Sequence, residues 1–394
     1  MKDDTLMVNS GRDPERHYGV VNLPVYHAST VLFPTLASFT KRAEGESEYR
    51  GVRYGAFGTP TTFALADAVS ELEGSPRRGV VVSSGQCAVT LSILAFVQQG
   101  DHILMVDTAY GPTRNFCNNI LKRFGVETEY YDPLIGGGIS SLMRPNTRLI
   151  FTESPGSLTF EIQDIPAIAA AAHQRDIPVF MDNTWGTPLF FKPFAHGVDI
   201  SIQAGTKYIS GASDLVIGII TARTEEFFRR LKKTIVGIGD IAGPDDCYLA
   251  LRGLRSMGAR LHRQQAEGIK IAQWFEDRPE VKKVLHPALP GNDGHGIWKR
   301  DFTGACSLFG VVLHASSEKA VARMIEGYRF IKIGASWGGY ESLVLPATPG
   351  IVRTAVPWTE TGYVLRYHIG LEDTADLIRD LEDGFARLNQ SPAE

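Results

Sequence analysis

Along the 394-residue chain the spacing of apolar positions changes in a regular order. Phe63, Ala66, Val69 and Leu72 recur at the spacing of one helix face and stop at Gly74, a residue that readily ends helices. A short apolar run, Val80-Val81-Val82, follows. After Ser83-Ser84-Gly85-Gln86 comes a second helical stripe of Ala88, Leu91 and Leu94. The pattern predicts further strands at 103–106, 149–152, 178–181, 198–202 and 215–221. It also predicts a helix over 165–173 with Pro166 in its first turn. Strands that are apolar on both faces and separated by helices specify an α/β layer around a mainly parallel sheet.

The last third reads differently. A long helix is predicted through Tyr248, Leu251, Leu254 and Leu261, a strand at 307–314, a helix at Val321, Met324, Ile325 and Tyr328, a strand at 365–369 and a closing helix at Leu377, Leu381, Phe385 and Leu388. This suggests a smaller α+β domain. Before residue 61, Pro14, Pro24, Pro34, Gly45 and Gly51 interrupt any periodicity, as expected of an extended arm that packs on a neighbouring subunit. The expected division is an arm over 1–60, a large domain over 61–255 and a C-terminal domain over 256–394, in keeping with a chain too long for one core.

Charge narrows the function. With 40 basic and 44 acidic residues the net charge is −4, and no basic stripe is present, so nucleic acid is not an expected partner. No apolar run approaches the ~20 residues needed to span a bilayer. The start, Met1-Lys2-Asp3-Asp4, has no apolar leader pattern, so no membrane association and a cytoplasmic location are expected. Cys87, Cys117, Cys247 and Cys306 show no C-x-x-C pair and no metal-ligand spacing, and are read as free thiols with no metal site.

Ligands of parallel sheets sit at the carboxyl ends of the strands. Ser84-Gly85-Gln86 follows one strand and opens a helix, whose free N–H groups suit a phosphate, although taken alone the motif is more often an ordinary Gly turn with a Ser cap. Asp182 ends another strand. A carboxylate there needs a partner, either a pyridinium N–H or the backbone of the next turn. Lys207 follows a third strand behind Ala204-Gly205-Thr206. It could join an aldehyde as a Schiff base, though a lone lysine is more often a surface residue. The order of the three suits a cofactor bearing a phosphate, a ring nitrogen and an aldehyde. Ile135-Gly136-Gly137-Gly138 lacks G-x-G-x-x-G spacing and reads as a turn.

The segment 182–214, D-N-T-W-G-T-P-L-F-F-K-P-F-A-H-G-V-D-I-S-I-Q-A-G-T-K-Y-I-S-G-A-S-D, closely resembles the cofactor segment of the cysteine/methionine-metabolism family of pyridoxal-phosphate enzymes. The likeness extends to Tyr54-Gly55, Thr108-Ala109-Tyr110, Glu153-Ser154-Pro155-Gly156, Gly243-Pro244-Asp245-Asp246, Ser336-Trp337-Gly338-Gly339-Tyr340-Glu341-Ser342 and Arg366-Tyr367-His368-Ile369-Gly370. Trp337, where γ-lyases and γ-synthases usually carry Leu, makes it most similar to the cystathionine β-lyase branch.

The resemblance implies a fold type I transferase-like large domain with a smaller α+β C-terminal domain. It also implies pyridoxal 5′-phosphate as cofactor. Lys207 would hold the cofactor covalently and later move the substrate's α-proton. Asp182 would pair with the ring nitrogen and Tyr110 would stack on the ring. Gly85, Gln86 and Thr206 would contact the phosphate, and Tyr54 would reach the neighbouring subunit's site. Arg366, with Ser336 and Trp337, would hold the substrate carboxylate. His368, on the same strand face as Arg366, receives no catalytic role. The likeness departs at Ala56, where relatives commonly carry a phosphate-binding arginine. The implied reaction is α,β-elimination of an amino-acid thioether, L-cystathionine giving homocysteine, pyruvate and ammonia. γ-Elimination, γ-replacement and racemisation are its alternatives. The implied assembly is a homo-oligomer, a tetramer built of two dimers.

Overall fold

Thr59 opens the first long helix, Pro60–Glu73. Its hydroxyl accepts the N–H of Thr62, Pro60 occupies the first turn, and Gly74 closes the helix at a φ of 89°. Leu65, Val69 and Leu72 are thereby buried against a seven-stranded sheet. The computed structural model describes residues 1–45, 47–314 and 317–390. The last four positions of the C-terminal span expected from sequence lie outside them.

The large sheet contains β1 (Gly79–Val82), β2 (His102–Val106), β3 (Glu127–Tyr131), β4 (Thr147–Glu153), β5 (Val179–Asp182), β6 (Ile200–Ala204) and β7 (Gly218–Ala222), in the order β1-β7-β6-β5-β4-β2-β3. β7 runs antiparallel to both neighbours, and the other pairings are parallel. The carboxyl ends of β2, β4, β5 and β6 therefore open on one edge. Helices pack on the sheet, which is why β2, β4 and β5 read as unbroken apolar runs, while β6 turns Ser201 and Gln203 onto the buried Glu73.

The second sheet holds β8 (Val281–Leu285), β9 (Leu308–Leu313), β10 (Lys332–Ile333), β11 (Leu343–Pro346) and β12 (Val364–His368), ordered β10-β11-β12-β9-β8. All its pairings are antiparallel except β10 with β11. The helices Glu318–Glu326 and Thr374–Leu388 pack together and bury Met324, Leu377, Leu381 and Phe385 in its core.

One helix of 33 residues, Pro244–Glu276, touches the helix Pro60–Glu73 near one end and β8 and β9 near the other. Residue 255, the boundary expected from sequence, falls inside it, so a continuous helix rather than a linker joins the two sheets. The Trp185 indole N–H adds a second tie by donating to the Leu308 carbonyl at 3.0 Å. A third tie is Asp107, just past β2. Its buried carboxylate accepts the N–H groups of Thr354 and Ala355 at 2.8 Å each, the Thr354 hydroxyl at 2.8 Å, and the Arg114 guanidinium at 2.9 Å.

The arm expected over 1–60 is not wholly extended. Asp3–Asn9 is a helix whose Met7 is buried against Gly258 of the long helix. Seven residues with one buried side chain leave too short a pattern to register as a periodicity. Among the described residues, no helix is long and apolar enough to cross a membrane.

Candidate active site

The carboxyl ends of β4, β5 and β6, the N-terminus of the helix Gly85–Leu94 and strand β12 enclose a cavity of about 280 Å³. Every residue expected at the site lines it except Tyr54 and Ser336.

Lys207 stands in the turn after β6, its N–H bonded to the Ala204 carbonyl at 3.0 Å. Its Nζ donates to the Ser336 hydroxyl at 2.9 Å and lies 5.4 Å from the centre of the Trp337 ring. Burial lowers its pKa to about 8 and the Arg366 charge adds to this, while Asp182 opposes it. A lysine in this state has a sizeable neutral fraction near neutral pH, which a nucleophile or base requires.

Asp182 ends β5. Its Oδ1 accepts the Thr184 N–H at 3.0 Å and the Thr184 hydroxyl at 2.5 Å. Oδ2 takes no protein hydrogen bond among the described residues. Burial raises the pKa of Asp182 against the pull of Thr184 and Lys207, so a cation placed beside Oδ2 would relieve the cost of its charge. Thr184 was not foreseen as a site residue. Its hydroxyl also accepts the Ala204 N–H at 2.9 Å and so couples the Asp182 turn to the Lys207 turn.

At the other end, Ser84 caps the helix Gly85–Leu94 through Cys87 N–H at 3.0 Å. A Cβ on Gly85 would stand 2.6 Å from the Ala204 Cβ, so only glycine lets the helix start this close to β6. Oε1 of Gln86 is buried without a partner among the described residues. The Thr206 hydroxyl is engaged with the Ile217 backbone, donating to O at 3.2 Å and accepting from N at 3.0 Å, which leaves one lone pair for a ligand.

Arg366 lies buried on β12. Its Nη2 donates to the carbonyls of Ala335 at 2.8 Å and Ser336 at 3.2 Å. Nε and Nη1 make no protein hydrogen bond among the described residues. Burial lowers its pKa to about 10, still protonated at neutral pH. The free edge of the fork suits a carboxylate. Tyr110 presents a half-exposed ring, and Trp337 packs on Tyr208 with centroids 5.5 Å apart. His368 fixes this wall: its Nε2 lies 3.1 Å from the Gly338 N–H and its Nδ1 3.2 Å from the Ser307 hydroxyl. Burial drives its pKa to about 3, which keeps it neutral. Tyr54 is half-exposed on the arm, outside the cavity of its own chain.

An amine with a lowered pKa, an incompletely partnered carboxylate and a helix N-terminus meet around one cavity, a setting suited to a small ligand with an anionic group. The model of the Cys/Met metabolism PLP-dependent enzyme family matches residues 4–386, and the chain belongs to that family. It is 49% identical to a putative cystathionine beta-lyase of Rhizobium johnstonii over 97% of this chain and 96% of the relative. It is 42% identical to the cystathionine beta-lyase MetC of Escherichia coli over 98% and 99% of the two chains. The solved structure of metB from Corynebacterium glutamicum superposes with a TM-score of 0.90 at 30% identity, covering 99% of both chains.

The residues fit the cofactor that names the family. The helix end at Gly85 suits its phosphate, Asp182 Oδ2 its ring nitrogen and Lys207 its aldehyde carbon.

Proposed function

We propose that the chain is a carbon–sulfur lyase that cleaves L-cystathionine to homocysteine, pyruvate and ammonia. The observation that carries this reading is the convergence of Lys207, Asp182 and Arg366 on one cavity, in a chain of this family whose near relatives bear the cystathionine beta-lyase name.

Lys207 would hold pyridoxal phosphate, with Asp182 at its ring nitrogen, Tyr110 against its ring and Gly85, Gln86 and Thr206 at its phosphate. When bound, the cofactor supplies an electron sink for the charge left at a substrate α-carbon. Arg366 binds the substrate α-carboxylate through the free edge of its guanidinium, and Trp337 walls the same side. The Lys207 amine, kept near the cavity by the Ser336 hydroxyl, removes the α-proton. The Cβ–S bond then breaks with its electron pair going to sulfur, which leaves as a thiol with the proton Lys207 had taken, and water hydrolyses the remaining three-carbon enamine to pyruvate and ammonia. Tyr54, exposed on the arm, is assigned to the site of a second copy. This supports a homo-oligomer, with a tetramer of two dimers as the proposed form and the cytoplasm as its location.

The test uses purified wild type and Lys207→Ala with L-cystathionine. Wild type should be yellow, be bleached irreversibly by borohydride, and release homocysteine and pyruvate. Lys207→Ala should lose turnover by at least ~10⁴-fold, as expected when the group that moves the proton is removed. Release of cysteine and a four-carbon keto acid would instead mark γ-cleavage, and wild-type rates in the variant would refute the role of Lys207.

A further inference from the structure

Glu153 lines the cavity but has no part in the reaction above. It ends β4 as the direct register partner of Asp182 on β5, so the two carboxyl groups rise from adjacent parallel strands. Its Oε2 accepts the backbone N–H of Tyr110 at 2.7 Å. Tyr110 stands at the mouth of the short helix Gly111–Asn115 without a side-chain cap. Glu153 thus fixes the main chain from which the Tyr110 ring projects.

No cation is committed to Glu153 among the described residues. Arg353, in the loop beyond, donates to the Asp107 carbonyl, to the Thr159 hydroxyl and to Glu161. Burial holds the Glu153 carboxyl well above the usual carboxylate range, and the Asp182 charge adds to this. The Tyr110 N–H, the Ser157 hydroxyl and Arg353 pull the other way. Two carboxylates side by side in a closed site do not both ionise readily. Asp182 already has the Thr184 N–H and hydroxyl to support its charge. The proton therefore belongs on Glu153.

We propose that Glu153 is a positioning residue that works as a neutral carboxylic acid, fixing the backbone of Tyr110 and hence its ring without placing a second negative charge beside Asp182. The inference rests on the assignment of Tyr110 to the cofactor ring. An ionised Glu153 would compete with Asp182 for the positive ring nitrogen. A neutral acceptor of the same shape would not.

Wild type, Glu153→Gln, Glu153→Met and Glu153→Ala, each loaded with pyridoxal phosphate, separate the possibilities by visible absorption and visible circular dichroism, alongside kcat and KM for cystathionine. Glu153→Gln retains the acceptor oxygen without the acid. Its cofactor dichroism and kcat should stay within about threefold of wild type. Glu153→Met and Glu153→Ala remove the acceptor. They should change the dichroism of the bound cofactor at least about twofold and lower kcat about tenfold, the scale of one lost hydrogen bond, with a smaller change in KM. Glu153→Met keeps the volume, so the comparison survives if Glu153→Ala does not fold. A Gln variant as impaired as Met would show that the charge is needed and overturn the proposal. A Met variant with wild-type dichroism and kcat would overturn it as well. Wild-type protein that takes up no cofactor would instead overturn the functional reading on which it rests.

Discussion

Lys207 shows how a site is held at a cost to the fold around it. Its ordinary pKa of 10.5 falls to about 8, chiefly because the ammonium is buried. The folded state therefore releases this proton more readily than the unfolded chain. Below pH 8 both states keep it and the fold bears the whole penalty, which disappears as the pH rises from 8 to 10.5. A shift of this size corresponds to ~3 kcal/mol. Lys207→Met should therefore raise the stability of the cofactor-free protein by ~1–3 kcal/mol at pH 7, and the gain should fade by pH 10.5. Thermal midpoints of the stripped proteins at the two pH values check this, and a variant less stable than wild type at pH 7 would contradict it. In the sequence Lys207 was visible only in company, through Asp182 upstream and the surrounding motif. Thr184 and Glu153 stood in the same motifs without roles, because theirs depend on which strand lies next to which. Thr184 acts by bridging β5 to β6, and Glu153 by standing in register with Asp182.

At the scale of elements, legibility followed burial. The inner strands β2, β4 and β5 carry unbroken apolar runs, and β6 buries Ile200 and Ile202 alongside Ser201 and Gln203, which bond Glu73; all four were evident from the chain. β3, E-T-E-Y-Y on the sheet edge with mostly part-exposed residues, carries no such run and was not foreseen. The helix Glu225–Ile238 was also missed, although it has Thr224 as its cap and a clear apolar face at Phe228, Leu231 and Ile235. The helix Gly85–Leu94 was legible, but the reason for its glycine was not, since Ala204 lies 119 positions downstream (204 − 85). Gly85→Ala would force the new methyl into the Ala204 Cβ at 2.6 Å. The helix start must then lift from β6, costing ~1–3 kcal/mol as overpacking does and moving the N–H groups proposed to hold the phosphate. Cofactor affinity should fall at least about tenfold, the ratio that ~1.4 kcal/mol implies. Fluorescence titration of the stripped variant measures this, and unchanged affinity would detach Gly85 from the phosphate site.

At the scale of the whole molecule, the question is why the chain keeps an aromatic exposed on an arm. The first sixty residues are anchored to their own chain by Met7, by the bond from the Tyr26 N–H to Thr61 and by the Arg50 guanidinium on the Asp67 carboxylate. Between and beyond these anchors, Leu32, Leu36 and Tyr54 stand in the open, at 89%, 80% and 49% exposure. Large side chains in that state are suited to burial by another copy. If Tyr54 serves the neighbour's site, Tyr54→Ala and Lys207→Ala are defects of different subunits' contributions to one centre. Coexpressed in equal amounts, the two inactive chains should form mixed dimers in which one site receives an intact Lys207 from one chain and an intact Tyr54 from the other. Random pairing makes half the dimers mixed, each with one of its two sites whole, so about a quarter of wild-type activity should return. If Tyr54 acts only within its own chain, no combination yields a complete site, and the mixture should stay as inactive as either variant alone. The rate of pyruvate release from the coexpressed pair, measured beside each parent, decides between the two.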